Sequence, residues 1–158
     1  MHSRIIELGN APILPDDRMG ECSVPEWFYH SIADYTDAET DRDEDLKWFL
    51  EIVAHIVDVA GDGESFTFKP NAKKKYFHRQ YYAFLDKARE LTGISIEAFC
   101  AETPYDIGMA MYKLNEAYQD KFSFYIYYQD KLKTLDEWIR ETDLSEPFYF
   151  GGTLDYHF

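Results

Sequence analysis

The side chains in this sequence that could carry chemistry are five histidines, two cysteines and a dense run of acids. No two histidines stand at i, i+4 spacing, and Cys22 and Cys100 lie too far apart for a C-x-x-C pair, so the common zinc and redox motifs are missing. His30 and Asp34 have a spacing that could orient an imidazole on a helix, but no marked nucleophile accompanies them. We therefore expect no catalytic residue, no bound metal and no cofactor.

The acids between residues 34 and 45 alternate in a way that suggests a calcium loop. An EF-hand loop needs Gly at its sixth position and Glu at its twelfth, and counting from Asp37 these positions hold Arg42 and Trp48. Capping of a helix that begins near residue 42 explains part of the run. The rest is either a solvated surface or a surface for a partner, and the candidate partner-binding residues are Asp34, Asp37, Glu39, Asp41, Asp43, Glu44 and Asp45.

A basic segment without acids follows, from Lys69 to Arg79. Three of its lysines fall in the first turn of a predicted helix, where cations oppose the helix dipole. Either an anionic ligand or the chain's own carboxylates would relieve this cost, and pairing within the chain is the simpler explanation. The candidate anion-binding residues are Lys73, Lys74, Lys75 and Arg79.

The charge is distributed unevenly along the chain. The formal net charge is −14, and residues 1–68 hold four bases and sixteen acids, or −12. This composition favours a basic protein surface as the partner and disfavours direct binding to nucleic acid or to an anionic membrane. Two isolated cysteines and the absence of a signal-peptide pattern or a long apolar run lead us to expect a cytoplasmic protein.

The periodicity of apolar residues predicts a single α+β domain over residues 1–158, with four or five helices packed on a small, mostly antiparallel sheet. Its clearest element is helix 42–60, which has apolar stripes on two faces and should be the central, most buried helix. The remaining predicted elements are strands 3–8, 65–69 and 122–129, helices near 25–32, 71–92, 96–101 and 134–139, a helix opened by Thr103–Asp106, and a C-terminal hairpin turning at Gly151–Gly152.

Two functional classes fit these features. The first is a non-enzymatic interaction domain and, in its concrete form, a nucleic-acid mimic that inhibits a DNA- or RNA-handling protein; in size and charge the chain is similar to small acidic antirestriction and anti-CRISPR proteins. The alternative is an enzyme or binding domain for a small ligand, with an aromatic-lined pocket that uses Tyr125, Tyr127 or His30. The aromatic C-terminus, residues 148–158, is expected to dock as a strand or to form a homodimer contact.

Overall fold

The chain folds around a curled, mixed seven-stranded sheet that resembles half a barrel. The computed structural model describes residues 1–101 and 105–158. The strands are β1 (His2–Gly9), β2 (Tyr35–Asp37), β3 (Val57–Val59), β4 (Ser65–Phe68), β5 (Tyr125–Tyr128), β6 (Lys131–Thr134) and β7 (Phe148–His157). The helices are α1 (Glu26–Ser31), α2 (Arg42–Val53), α3 (Ala72–Thr92), α4 (Ile96–Phe99), α5 (Tyr105–Tyr118) and α6 (Leu135–Glu141).

The predicted fold class is wrong in the size and type of the sheet and in the number of helices. The described residues form six helices, four of them with seven or more residues, rather than four or five on a small antiparallel sheet. The strand order is β3-β4-β7-β1-β5-β6, with β2 paired to β7, and the β1–β5 pair is parallel. This parallel pair joins strands more than a hundred residues apart in sequence, so local patterns could not reveal it.

Strand β7 is the centre of the sheet. Along one side it pairs antiparallel with β1 over almost its whole length, and along the other side its two ends pair with β4 and β2. Three of its aromatic residues are at most 2% exposed, namely Phe148, Phe150 and Tyr156. Of the two alternatives predicted for the C-terminal segment, a docked strand and a homodimer contact, the structure has the docked strand. The predicted hairpin at Gly151–Gly152 is wrong, since both glycines lie inside this one strand.

A β-bulge explains the two glycines. The register between β1 and β7 shifts between Ile6 and Leu8, which leaves Glu7 opposite the glycine pair. The buried Glu7 carboxylate accepts hydrogen bonds from the backbone N–H groups of Met19 at 2.9 Å and Gly152 at 2.7 Å. A Cβ on Gly151 would lie 2.5 Å from Glu7 Cδ, so only glycine leaves room for the carboxylate.

The core has one part on each face of the sheet. On one face α2, α6 and the start of α3 cover a cluster that includes Ile6, Phe49 and Trp138. On the other face α1 and the loop before it cover a second cluster built around Phe28 and Tyr156. The alternation of Ile5 and Ile6 between the two clusters follows the two-residue period of a strand that is buried on both faces.

Helix α2 is shorter and less buried than the predicted helix 42–60. It ends at Val53, and residues 57–59 pair with β4 as a strand. Phe49 and Val53 face the core, whereas Trp48 and Ile52 on the second apolar stripe are 40% and 37% exposed, so the helix is packed on one side only. Val53, Ile56 and Val57 are buried, whereas Leu50 is only half-buried.

Helices α3 and α5 pack against each other as an antiparallel pair, with the short α4 between them in the chain. We call residues 72–101 and 105–118 the arm. Of its described residues only Ala72, at the start of α3, is buried. At 1.5 Å per residue the 21 residues of α3 are about 31 Å long. The arm therefore extends away from the sheet. Of the predicted opening of α5, Thr103 and Pro104 lie outside the described residues.

Candidate partner-binding surface

The segment that joins α1 to α2 carries most of the candidate partner-binding acids to one edge of the sheet. Strand β2 pairs with the C-terminal end of β7, and Asp41 then begins α2 by accepting hydrogen bonds from the N–H groups of Asp43 and Glu44 at 3.1 and 3.2 Å. The predicted N-cap is therefore confirmed. The carboxylates of Asp43 and Glu44 are exposed to solvent and interact favourably with the positive end of the helix dipole.

Acids from two further places in the sequence join them. Glu21 accepts a hydrogen bond from the Ala38 N–H group at 3.2 Å, and Glu64 is paired with Arg42 at 2.8 Å. The backbone N–H group of Glu64 donates a hydrogen bond to the side chain of Asp62. We call these exposed carboxylates the acidic edge: Glu21, Asp34, Glu39, Asp41, Asp43, Glu44, Asp62 and Glu64.

The base that lies within the acidic edge is already occupied. Arg42 binds Glu64 and also donates hydrogen bonds to the backbone oxygens of Gly151 and Phe150. Its hydrogen bond to Glu64 lowers the pKa of that carboxyl group, which therefore stays ionised at a lower pH than an ordinary glutamate does. Lys47 lies outside the acidic edge and lines a groove between α2 and the β3–β4 turn. The edge thus keeps a strongly negative surface.

Two candidate residues are not available to a partner in the way the sequence predicted. Asp45 is only 4% exposed and forms an ion pair with Arg4, which also pairs with Asp155. Asp37 is half-buried and accepts a hydrogen bond from the Glu39 N–H group at 2.7 Å. Asp34 remains exposed, but its partner is His157 at 3.1 Å rather than His30.

The candidate anion-binding residues lie on the exposed side of α3, next to the body of the protein. Lys73 donates a hydrogen bond to the backbone oxygen of Arg140 at 3.0 Å. Within the described part of the chain, no carboxylate lies within 4.0 Å of Lys74, Lys75 or Arg79. The pairing expected within the chain is thus not formed at these three residues.

The residues of the alternative aromatic pocket do not form one. Tyr125 is 2% exposed, and its hydroxyl group donates to the backbone oxygen of Lys121 at 2.9 Å, so it belongs to the core. Tyr127 donates to Asp130 at 3.2 Å, and burial together with that carboxylate raises the pKa of its hydroxyl group. His30 is largely exposed and lies 3.4 Å from Glu26, its neighbour on α1.

The site that sequence reasoning missed is the joint between the arm and the body. The buried Asp136 accepts hydrogen bonds from Tyr76 at 3.0 Å and from Gln80 at 2.7 Å. Burial, and then the Asp136 charge, raise the pKa of the Tyr76 hydroxyl group. The Arg140 guanidinium lies over the rings of Phe77 and Tyr118, at 4.5 and 4.4 Å from their centroids. Neither Asp136 nor Arg140 stands in a recognisable motif.

No three histidine, cysteine, aspartate or glutamate side chains among residues 1–101 and 105–158 converge in an arrangement that could hold a metal ion. The helices of the same residues include none with the length and apolar character needed to cross a membrane. Comparison with models of protein families, with curated protein sequences and with solved structures gives no match to this chain.

Proposed function

We propose that this protein is a non-enzymatic interaction domain whose acidic edge binds a basic surface of a partner protein. The observation that carries the proposal is the convergence of eight exposed carboxylates from three separate places in the sequence, with the guanidinium of Arg42 fully engaged. Such a field raises the rate of encounter with a positively charged partner and excludes negatively charged ones.

The concrete form of the proposal is a mimic of nucleic acid that occupies the binding site of a DNA- or RNA-handling protein. Duplex DNA carries one charge per ~1.7 Å, so eight carboxylates correspond to about 14 Å of duplex. Helix α2, with 12 residues at 1.5 Å each, is about 18 Å long and begins within the edge. The acidic edge therefore matches roughly half a turn of duplex, a shorter footprint than the total charge alone would allow.

The test is capture of partners from a lysate at low and at high salt, with two variants of equal charge. The edge variant carries Glu39→Gln, Asp43→Asn and Glu44→Gln, which are exposed and have no capping role. The control variant carries Glu26→Gln, Glu116→Gln and Glu146→Gln, which are exposed but lie outside the edge. We expect basic proteins to be retained by the wild type and the control, to be lost by the edge variant, and to be released by salt or by added duplex DNA.

The alternative function in small-ligand chemistry makes a different prediction. If a small ligand were the target, the two variants would bind it equally well, and duplex DNA would displace nothing. Retention of the same proteins by the edge variant and by the control would contradict the proposed function, because net charge alone would then explain capture.

A further inference from the structure

The arm presents large apolar side chains that remain about half exposed or more in the described chain. Eight large ones are 49% to 71% exposed. Since a buried aromatic side chain contributes about 150–250 Å², they offer on the order of 900 Å² of apolar surface. A stable interface uses about 800 Å² from each partner. The eight residues are Tyr81, Tyr82, Ile96, Phe99, Tyr105, Met111, Tyr112 and Tyr118.

The two ends of the arm carry different apolar features. At its tip, Ile96 and Phe99 on α4 project into solvent with 68% and 70% exposure. At its base, α3, α5 and α6 enclose an open groove of about 250 Å³ that is almost wholly apolar. The groove is lined by Phe77, Gln80, Tyr81, Phe84, Ala117, Tyr118 and Arg140. An apolar projection and an apolar groove thus lie at opposite ends of the same helical pair.

The two ends also carry opposite charge. Residues 72–85, at the base, contain four bases and no acid, which gives +4. Residues 86–101 and 105–106, at the tip, contain two bases and four acids, which gives −2. Two arms in parallel orientation would place the +4 segments together, whereas antiparallel arms would place each acidic tip beside a basic base. Charge therefore selects the antiparallel orientation.

We propose that the arm docks against the arm of a second copy of this chain, antiparallel and about a two-fold axis. Phe99 of each copy enters the base groove of the other, and Glu97 and Asp106 lie near Lys74 and Lys75. Because a two-fold operation exchanges the two ends, both contacts form at once, and the assembly closes as a dimer.

The charge of the whole molecule supports this surface over others. Residues 72–118 carry seven bases and six acids, which gives a charge of +1. Since the net charge of the whole chain is −14, the residues outside this segment carry −15. Two copies repel each other wherever their bodies meet, and the arm is the surface where they approach without that repulsion. The predicted dimer contact at the C-terminus has no comparable surface, because most of β7 is buried in the sheet.

The first experiment measures molar mass by sedimentation equilibrium across the micromolar range. The wild type is expected to approach twice the monomer mass, and Phe99→Ala should raise the dissociation constant by at least about tenfold, as loss of a central aromatic contact does. Leu14→Ala is the matched control, because Leu14 is 64% exposed on the body, and it should leave the dissociation constant unchanged. A monomer at every concentration, or equal dissociation constants for both variants, overturns the proposal.

A charge exchange tests the orientation independently of the groove. Lys74→Glu with Lys75→Glu should weaken the dimer, and so should Glu97→Lys with Asp106→Lys. An equimolar mixture of the two double variants should form a heterodimer in which one of the two charge contacts is restored in reversed sign. Failure of the mixture to associate more tightly than either variant alone contradicts the antiparallel arrangement.

The native Cys100 supplies a direct reporter of geometry, because it is exposed at the end of α4. In a Cys22→Ser background, a short bismaleimide should not join Cys100 to its counterpart, since antiparallel tips lie at opposite ends. Adding Ala83→Cys, an exposed position near the base groove, should produce dimers linked between residues 83 and 100. Linkage of Cys100 to Cys100 instead would show parallel arms and overturn the proposal.

Discussion

Replacing Asp45 should destabilise the protein far more than replacing any acid of the acidic edge. Its side chain is 4% exposed, and it pairs with Arg4, whose own side chain is 22% exposed and contacts Asp155 as well. The Asp45→Asn variant removes the charge that Arg4 partly balances, and a neutral amide must then occupy a site shaped for a carboxylate.

The magnitude follows from the burial of the three groups. Breaking a fully buried ion pair costs about 3–5 kcal/mol. Because Arg4 and Asp155 retain some contact with solvent, and because Arg4 keeps its bond to Asp155, we expect a loss of about 2–3 kcal/mol for Asp45→Asn. The matched control is Asp43→Asn, two positions earlier on the same helix and 94% exposed, which should change the free energy of unfolding by less than about 0.5 kcal/mol.

The assay is urea unfolding at neutral pH, followed by tryptophan fluorescence and by circular dichroism, with coincident transitions as the test of two-state behaviour. The free energies of unfolding of the two variants are compared with that of the wild type at the same salt concentration. Equal and small losses for Asp45→Asn and Asp43→Asn would contradict a structural role for the Asp45 ion pair, because Asp45 would then behave as one more surface acid.

Three further predictions concern the fold. Gly151→Ala should lower the free energy of unfolding by about 3–5 kcal/mol, because its Cβ displaces the buried Glu7 carboxylate and breaks two charged hydrogen bonds. A loss of less than about 1 kcal/mol in urea unfolding would count against this role of the bulge. Ile56→Ala, at a fully buried position, should cost about 2–5 kcal/mol, whereas Ile52→Ala on the exposed stripe of α2 should cost under about 1 kcal/mol; similar losses would restore a helix packed on two faces. Burial raises the pKa of Tyr76, Tyr125 and Tyr156, so these tyrosines ionise in the unfolded state before they ionise in the folded state. The free energy of unfolding should therefore fall as the pH rises above about 10. A tyrosinate titration in which all tyrosines ionise at their ordinary pKa would contradict this.

The sequence predicts elements well where one local pattern decides them. Strand 3–8 and helices 71–92 and 134–139 all lie within a residue or two of their predicted places. In each case a short run of residues contains both the periodicity and the stop signal, so no distant contact is needed to place the element.

Other elements depend on distant partners and were therefore mispredicted. Val53, Ile56 and Val57 have helical spacing, but Val57 and Val59 pair with Phe68 and Phe66 of β4, and this pairing ends the helix early. The Gly151–Gly152 pair is a usual sign of a turn. Here it accommodates Glu7, 144 residues earlier than Gly151, and nothing near the glycines in sequence indicates that carboxylate.

The acidic edge was partly predictable. Its exposed acids on the segment from residue 34 to residue 44 follow from charge and capping alone, and Glu21, Asp62 and Glu64 needed the fold to bring them there. One signal for Asp45 was present in the sequence: it stands four and eight residues before Phe49 and Val53, on the buried face of α2. An acid on a core face requires a partner, but nothing near Asp45 in the sequence identifies Arg4, 41 residues away, as that partner.

The most direct test of the central claim is partner capture by the edge variant and by its control of equal charge. We predict that Glu39→Gln with Asp43→Asn and Glu44→Gln abolishes the capture of basic proteins that duplex DNA displaces, while the control variant captures them as the wild type does. Both variants should unfold within a few degrees of the wild-type temperature, because all six residues are exposed and the first-turn acids Asp43 and Glu44 each stabilise α2 by only about 0.3–1 kcal/mol. Undiminished capture by the edge variant would contradict the claim that this surface is the binding site.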